Sequence, residues 1–221
     1  MSEVKLDCRT FVIYFYNYFK TTKETLMKKR IVIFASGSGT NAQNLIQYFQ
    51  QSEFAEVVLV LSNKKDAKVL DRSKKLNISS LYFDKTALFS SDGVLNLLKE
   101  ANVDYIILAG FLLKFPELIL KEFSNRVINL HPALLPKYGG KGMYGSHVHE
   151  AVVANQEKET GITIHYVNEN YDEGAIIFQK SVALSKKDNP ETVAEKVHAL
   201  EYAYFPKVIE EVILSGMSDE N

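Results

Sequence analysis

Asn129 and His131, two residues apart in the run Asn129-Leu130-His131-Pro132, carry the parts needed for carbonyl chemistry. An amide is a neutral donor and an imidazole a titratable one. Side by side they can hold an oxyanion and move a proton near neutral pH. Residues two apart in a strand share a face, so the pair converges if it closes a strand. Pro132 restricts His131 to extended geometry and thereby fixes where its ring points. Asp172, in Tyr171-Asp172-Glu173-Gly174, is the candidate carboxylate partner. Beside a histidine it would raise the imidazole pKa and hold its tautomer. Nothing in the sequence places it there, and a lone turn aspartate ordinarily bonds its own turn.

A second constellation is Ser36-Gly37-Ser38-Gly39-Thr40-Asn41-Ala42. Glycines there let the backbone approach an anion while free N–H groups at a helix start point at it. Gly37, Gly39 and Ala42 also fit a loose dinucleotide pattern, which expects an acidic residue at the end of the second strand. Ser62-Asn63-Lys64 stands there instead, so a phosphate monoester is the better reading than a nicotinamide cofactor. His147 and His149 would suit a metal only if their segment were extended, and no third ligand accompanies them at metal-site spacing, so no metal is expected. His165 reads as a structural histidine within a strand.

The elements that must position these groups alternate. Apolar strand-like runs occupy 30–35, 56–62, 79–83, 104–109 and 126–129, with helical stretches at 41–51, near 67–76, at 92–102 and at 116–123 between them. Continuous apolar strands separated by helices indicate α/β architecture: a single doubly wound, mostly parallel sheet with helices on both faces, binding its ligands at the carboxyl ends of the strands. The Pro- and Gly-dense loop 131–146 follows, then a helical run at 147–154. Strands at 161–167 and 175–184 are joined by the polar turn 168–174. A final helix opens near Asn189-Pro190-Glu191, with Val193, Val197, Leu200, Tyr204, Val208 and Val212 at helical spacing. His198 and Glu201 read as surface positions of that helix.

The 221 residues are 46% hydrophobic with a formal charge of -1, which excludes disorder and gives no broad basic field for nucleic acid. The apolar run 11–19 is shorter than the ~20 residues that cross a bilayer. The lone cysteine, Cys8, excludes an intrachain disulfide framework and thiolate metal sites, and permits a reducing compartment. Residues 1–27 lack the features of a secretory signal and read as a non-catalytic extension before a catalytic domain over 28–221, Met27 standing just ahead of the new pattern.

Taken in order, the glycine loop, Leu108-Ala109-Gly110-Phe111, Asn129-x-His131-Pro132-x-Leu134-Leu135-Pro136 and Asp172-x-Gly174 resemble the folate-dependent phosphoribosylglycinamide formyltransferases. The resemblance implies a formyltransferase-like fold in the cytoplasm, as monomer or homodimer. It implies formyl transfer from 10-formyltetrahydrofolate, the co-substrate, to the amine of glycinamide ribonucleotide in purine synthesis, with small-molecule partners and neither nucleic acid nor membrane. By matching position, His131 is the proton-transfer residue, Asn129 binds the formyl oxygen and Asp172 tunes the histidine. Protonated His131 is expected to donate to the oxyanion with Asn129. Gly39, Thr40 and Asn41 would hold the ribonucleotide phosphate, and Glu201 matches a substrate-contacting glutamate. Leu112, Leu113, Lys114 and Phe115, with Asn129, would line the folate pocket, and the 168–172 turn would close over it.

Two departures bear on peripheral contacts. Residues 84–91 hold no arginine where family members often carry one near the folate tail, and the loop HPALLPKYGGKGMYGSHVH is longer than the commoner HPxLLPxYxGxHxH form, so Lys141 to Tyr144 would reshape the entrance. The alternative is a formyltetrahydrofolate hydrolase with water as acceptor. That enzyme, like a transferase acting on initiator tRNA, usually carries an additional domain for which this chain leaves no room. A nucleotide-binding module would explain the glycine loop but leave Asn129, His131 and Asp172 without work.

Overall fold

The computed structural model describes residues 28–219, and the extension expected over residues 1–27 lies outside them. Seven strands form one sheet in the order β3-β2-β1-β4-β5-β6-β7. β1 (Lys29–Phe34), β2 (Ala55–Ser62), β3 (Ser79–Tyr82), β4 (Tyr105–Leu108) and β5 (Val127–His131) run parallel. β6 (Glu159–Tyr166) and β7 (Ile176–Ala183) add an antiparallel edge. The mostly parallel, doubly wound architecture is the one expected from the apolar runs.

Strand alternation divides the core in two. Ile31, Ile33, Ala35, Tyr105, Ile107 and Ala109 face one side of the sheet, where they meet helices α1 (Thr40–Phe49), α2 (Lys68–Lys75), α6 (Ser146–Ala154) and α7 (Pro190–Asp219). Val32, Phe34, Ile106 and Leu108 face the other, beneath α3 (Lys85–Phe89), α4 (Asn96–Glu100) and α5 (Glu117–Glu122). Both faces being covered, the central strands can be apolar at every position.

Three differences from the sequence expectation have physical causes. The fifth strand continues to His131 because Leu130 and His131 pair with Ile164 and Thr163 of β6, a long-range contact that no local pattern reveals. The single helix expected over 92–102 is broken at Gly93, whose φ of -98 and ψ of -119 are not helical and whose added Cβ would lie 2.1 Å from the Ala87 carbonyl oxygen. Ahead of that break stands α3, unanticipated, its first turn capped by Asp84 accepting from the Ala87 N–H at 2.8 Å.

In α7 the fully buried residues are Val193, Val197, Phe205, Ile209 and Ile213, and Leu200, Tyr204 and Val212 flank them half-buried. Val208 is buried with them, so the expected stripe packs on the core and Phe205, Ile209 and Ile213 widen it. Glu201, four residues from both Val197 and Phe205, lies within it and is only 5% exposed. Its burial corrects the surface reading of that position.

Ile107 sits in the middle strand of this sheet with no exposed surface. Ile107→Ala is expected to lower unfolding free energy by about 2–5 kcal/mol, the usual cost of an isoleucine truncation in a packed core. Chemical denaturation should show it as a lower midpoint at unchanged slope.

Candidate functional site

Sheet order reverses between β1 and β4, and the loops leaving those two strands separate to open a crevice at the carboxyl edge. Ser36 stitches this junction. Its hydroxyl donates to Asn63 Oδ1 at 2.6 Å and accepts from the Leu112 N–H at 3.0 Å, joining the ends of β1, β2 and β4. Asn63, where a dinucleotide site would need an acid, is therefore engaged as a structural acceptor. A cavity of about 600 Å³ lies over the junction, lined among others by Gly39, Asn41, Phe111, Asn129, His131 and Asp172.

Gly39 caps the start of α1 at φ 75, and a Cβ there would come within 2.4 Å of Val69 Cγ2. The left-handed turn and the close helix both require glycine. Among the described residues no side chain caps α1, and its first turn holds no acidic residue, so its leading N–H groups are available to an anion. Arg72 braces the loop by donating to the Ser38 carbonyl oxygen at 2.8 Å. Asn41 turns inward, its Nδ2 donating to Glu201 Oε2 at 2.8 Å, while its Oδ1 is buried with no hydrogen-bond partner among the described residues. Burial raises the Glu201 carboxyl pKa, and the Asn41 hydrogen bond and His198 oppose that rise.

The middle of the cavity joins β5, β6 and two loops. Cross-strand register sets Asn129 opposite His165, and their side chains meet at 3.1 Å. Asp172 comes from the β6–β7 connection at φ 57. The Gly174 behind it fits because a Cβ would lie 1.7 Å from the Tyr166 carbonyl oxygen. Asp172 Oδ2 accepts from the Gly140 N–H at 2.9 Å and stands 3.6 Å from His131 Nδ1. Oδ1 stands 3.5 Å from Asn129 Nδ2 and 3.7 Å from His165 Nε2. Burial alone would raise the Asp172 carboxyl, but the neighbouring His165 and His131 rings and the Gly140 N–H outweigh it and hold the pKa below the usual value.

The partners also settle the histidine protons. His131 Nε2 lies 2.8 Å from the Tyr138 carbonyl oxygen, which only accepts, so the hydrogen is on Nε2. His165 Nδ1 lies 2.9 Å from the Tyr166 carbonyl oxygen, which leaves its Nε2 to accept from Asn129. Burial lowers the His131 pKa, although Asp172 pulls it upward. At neutral pH this is a neutral imidazole with a free Nδ1 lone pair facing a carboxylate. The protonated ring expected to donate to the oxyanion is thus a state that His131 reaches only by taking up a proton.

Other expected residues divide. Of the four proposed folate contacts, Leu112 lines the cavity. Leu113 is half-buried, Lys114 is exposed, and Phe115 packs into the core, its ring centroid 5.2 Å from that of Phe34. Phe111, 5.4 Å from the same Phe34 ring, is the aromatic wall instead. Thr40 and Glu201 line the cavity with Gly39 and Asn41. His147 and His149 diverge on α6, the first exposed and the second buried, and no cluster of three metal-binding side chains occurs among the described residues. Sequence reasoning missed His165, His149 and His198, the last two lining the cavity. An i+4 count from Val197 would have turned His198's neighbour Glu201 inward; the register that recruits His165 left no local signal.

Residues 29–209 match the family model described as formyl transferase. Phosphoribosylglycinamide formyltransferase of Bacillus subtilis (strain 168) is 30% identical over 190 residues, covering 84% of this chain and 95% of the relative. The chloroplastic enzyme of Arabidopsis thaliana is 36% identical over 188 residues, and the match covers 82% of this chain but only 64% of that longer protein. A crystal structure of phosphoribosylglycinamide formyltransferase from Bacillus halodurans superposes with a TM-score of 0.75 at 36% identity, covering 84% of this chain and 95% of that one. By its fold, its matched residues and these relatives, the chain belongs to the formyl transferase family, among the phosphoribosylglycinamide formyltransferases.

Proposed function

We propose that this protein transfers the formyl group of 10-formyltetrahydrofolate to the amine of glycinamide ribonucleotide, a step of purine synthesis, in the cytoplasm. The observation that carries the reading is the position of the Asn129, His131 and Asp172 cluster within one cavity, between a phosphate-type glycine loop and an aromatic wall. Gly39, Thr40 and Asn41 would take the acceptor's phosphate, Glu201 a polar group of the same molecule, and Phe111 and Leu112 the flat pterin. A metal plays no part in the proposed chemistry.

Within this reading the amine lone pair attacks the formyl carbon, and the carbonyl electrons move onto oxygen. Asn129 Nδ2 donates to that oxyanion, giving up its long 3.5 Å approach to Asp172. Such a donor contributes about 3 kcal/mol in transition-state stabilisation. The proton on the attacking nitrogen passes to the free Nδ1 of His131. The imidazolium so formed is paired with Asp172, and it returns the proton to N10 as the carbon–N10 bond breaks. His165 keeps Asn129 in place by accepting its other amide hydrogen.

The reading is tested by supplying purified protein with 10-formyltetrahydrofolate, with and without glycinamide ribonucleotide, and following released folate by absorbance. Release that depends on the ribonucleotide is expected. Release without it would replace the proposal with the hydrolase reaction.

Asn129→Ala and His131→Ala are each expected to lower kcat by about a hundredfold or more, with ribonucleotide binding nearly intact. Steady-state kinetics and direct titration of the ribonucleotide separate the two effects. The pH profile follows from the lowered His131 pKa. Because the neutral ring is the active form, kcat/KM should fall on acidification, with its midpoint below the ordinary histidine value. In Asp172→Asn the attraction that raises the imidazole is gone, so that limb should move to still lower pH while the plateau drops.

A further inference from the structure

Backbone N–H groups are the anion-facing donors of the glycine loop, and the arginine beside it, Arg72, is committed to the Ser38 carbonyl and to Gln43. The permanent cations lining the cavity are Lys64, just after β2, and Lys141. Neither takes part in a side-chain ion pair among the described residues. Asp172 and Glu201, the acidic groups of the same wall, are engaged by the cluster around His131 and by Asn41.

Lys141 is carried by a turn whose geometry is defined at both ends. The Met143 N–H donates to the Gly140 carbonyl at 3.1 Å, and Gly142, in the third position of that turn, has φ 93, as a type II turn requires. Its root is pinned, since the Gly140 N–H donates to Asp172 Oδ2 at 2.9 Å. Its tip is open: a Cβ on Gly140, Gly142 or Gly145 would meet nothing within 4 Å. The segment then leads into α6, which packs on α7 on the same face of the sheet as α1. Lys141 therefore reaches the cavity from a loop that crosses between the proton-transfer cluster and the wall bearing the glycine loop.

We propose that Lys141 is a specificity-determining residue for the acceptor. Its ammonium pairs with the acceptor's phosphate, which the Gly39 to Asn41 backbone holds from another side, and Lys64 adds a second positive charge. This inference rests on the function proposed above and supplies the cationic partner that the glycine loop lacks. Because the root of the turn is fixed on Asp172 independently of the lysine, losing the ammonium should weaken binding without disturbing the chemistry.

Wild type, Lys141→Ala and Lys141→Arg are to be compared with glycinamide ribonucleotide and with its phosphate-free riboside. Lys141→Ala is expected to raise KM for the ribonucleotide about tenfold, the scale of one hydrogen bond to a charged group, with kcat within about twofold of wild type. The riboside's KM should not move, Lys141→Arg should recover most of the loss, and the gap should narrow at high salt. An equal change with both acceptors, no change with the ribonucleotide, or a fall in kcat at constant KM would overturn the proposal. If wild type formylates neither acceptor, the reading of the reaction fails by itself. Calorimetric titration with ribose 5-phosphate then decides this one. Binding weakened about tenfold in Lys141→Ala upholds it, and equal binding by both proteins, or none by wild type, rejects it.

Discussion

Asp172 is a carboxylate held largely out of water, and everything around the site is arranged so that its charge can persist. An unpaired buried charge would take up a proton. Here the Gly140 N–H, Asn129 and two imidazoles surround it instead. Those partners come from β5, from β6 and from the glycine-rich loop, so the carboxylate fixes segments far apart in sequence against one another. The dependence runs the other way as well. A one-residue slip of β5 against β6 would send Asn129 and His131 to the face opposite His165 and take both away from the carboxylate.

The protonation pattern follows from this arrangement. Burial works against a positive His131 and against a negative Asp172, yet only the histidine yields to it. The difference is hydrogen bonding: Asp172 accepts from the Gly140 N–H and faces the Asn129 amide, whereas the His131 ring spends its Nε2 proton on the Tyr138 carbonyl. What results is a neutral base beside a preformed counter-ion. The ion pair that would stabilise the imidazolium is built before the proton arrives, and it needs no rearrangement when charge develops. A ring protonated from the outset would have no lone pair to offer an ammonium.

How much of this was legible in the sequence depended on the range of the contacts involved. Apolar runs revealed the strands, because a strand covered on both faces must be apolar throughout. Glycines flagged the anion loop, because Gly39 adopts a conformation other residues avoid. Asn129 and His131 could be paired from local alternation alone. The break at Gly93 and the cap at Asp84 were local too, but neither interrupts a hydrophobic pattern strongly enough to be noticed. Placing Asp172 at the imidazole took a family resemblance, and recruiting His165 took the register between β5 and β6, which only the folded chain contains. The apolar wall was mislaid for a related reason. Within Phe111-Leu112-Leu113-Lys114-Phe115, composition does not distinguish the ring that faces the cavity from the one that closes the core.

Helix α7 exposes a conflict between packing and site. Its stripe of Val193, Val197, Phe205, Ile209 and Ile213 would be continued best by an aliphatic residue at position 201. A buried glutamate there, satisfied on one oxygen by Asn41, leaves the asparagine's own Oδ1 buried without a partner among the described residues, at a typical cost of about 1–3 kcal/mol. Packing gains nothing from either group. The two costs fall on opposite sides of one hydrogen bond, beside the glycine loop and at the edge of the cavity. Local rules of folding are broken most often where a surface has been built for something other than folding. If Glu201 and Asn41 meet a polar acceptor molecule, as the proposed reaction requires, that molecule supplies a donor to Asn41 Oδ1. The stability given up in α7 is then recovered when the acceptor binds.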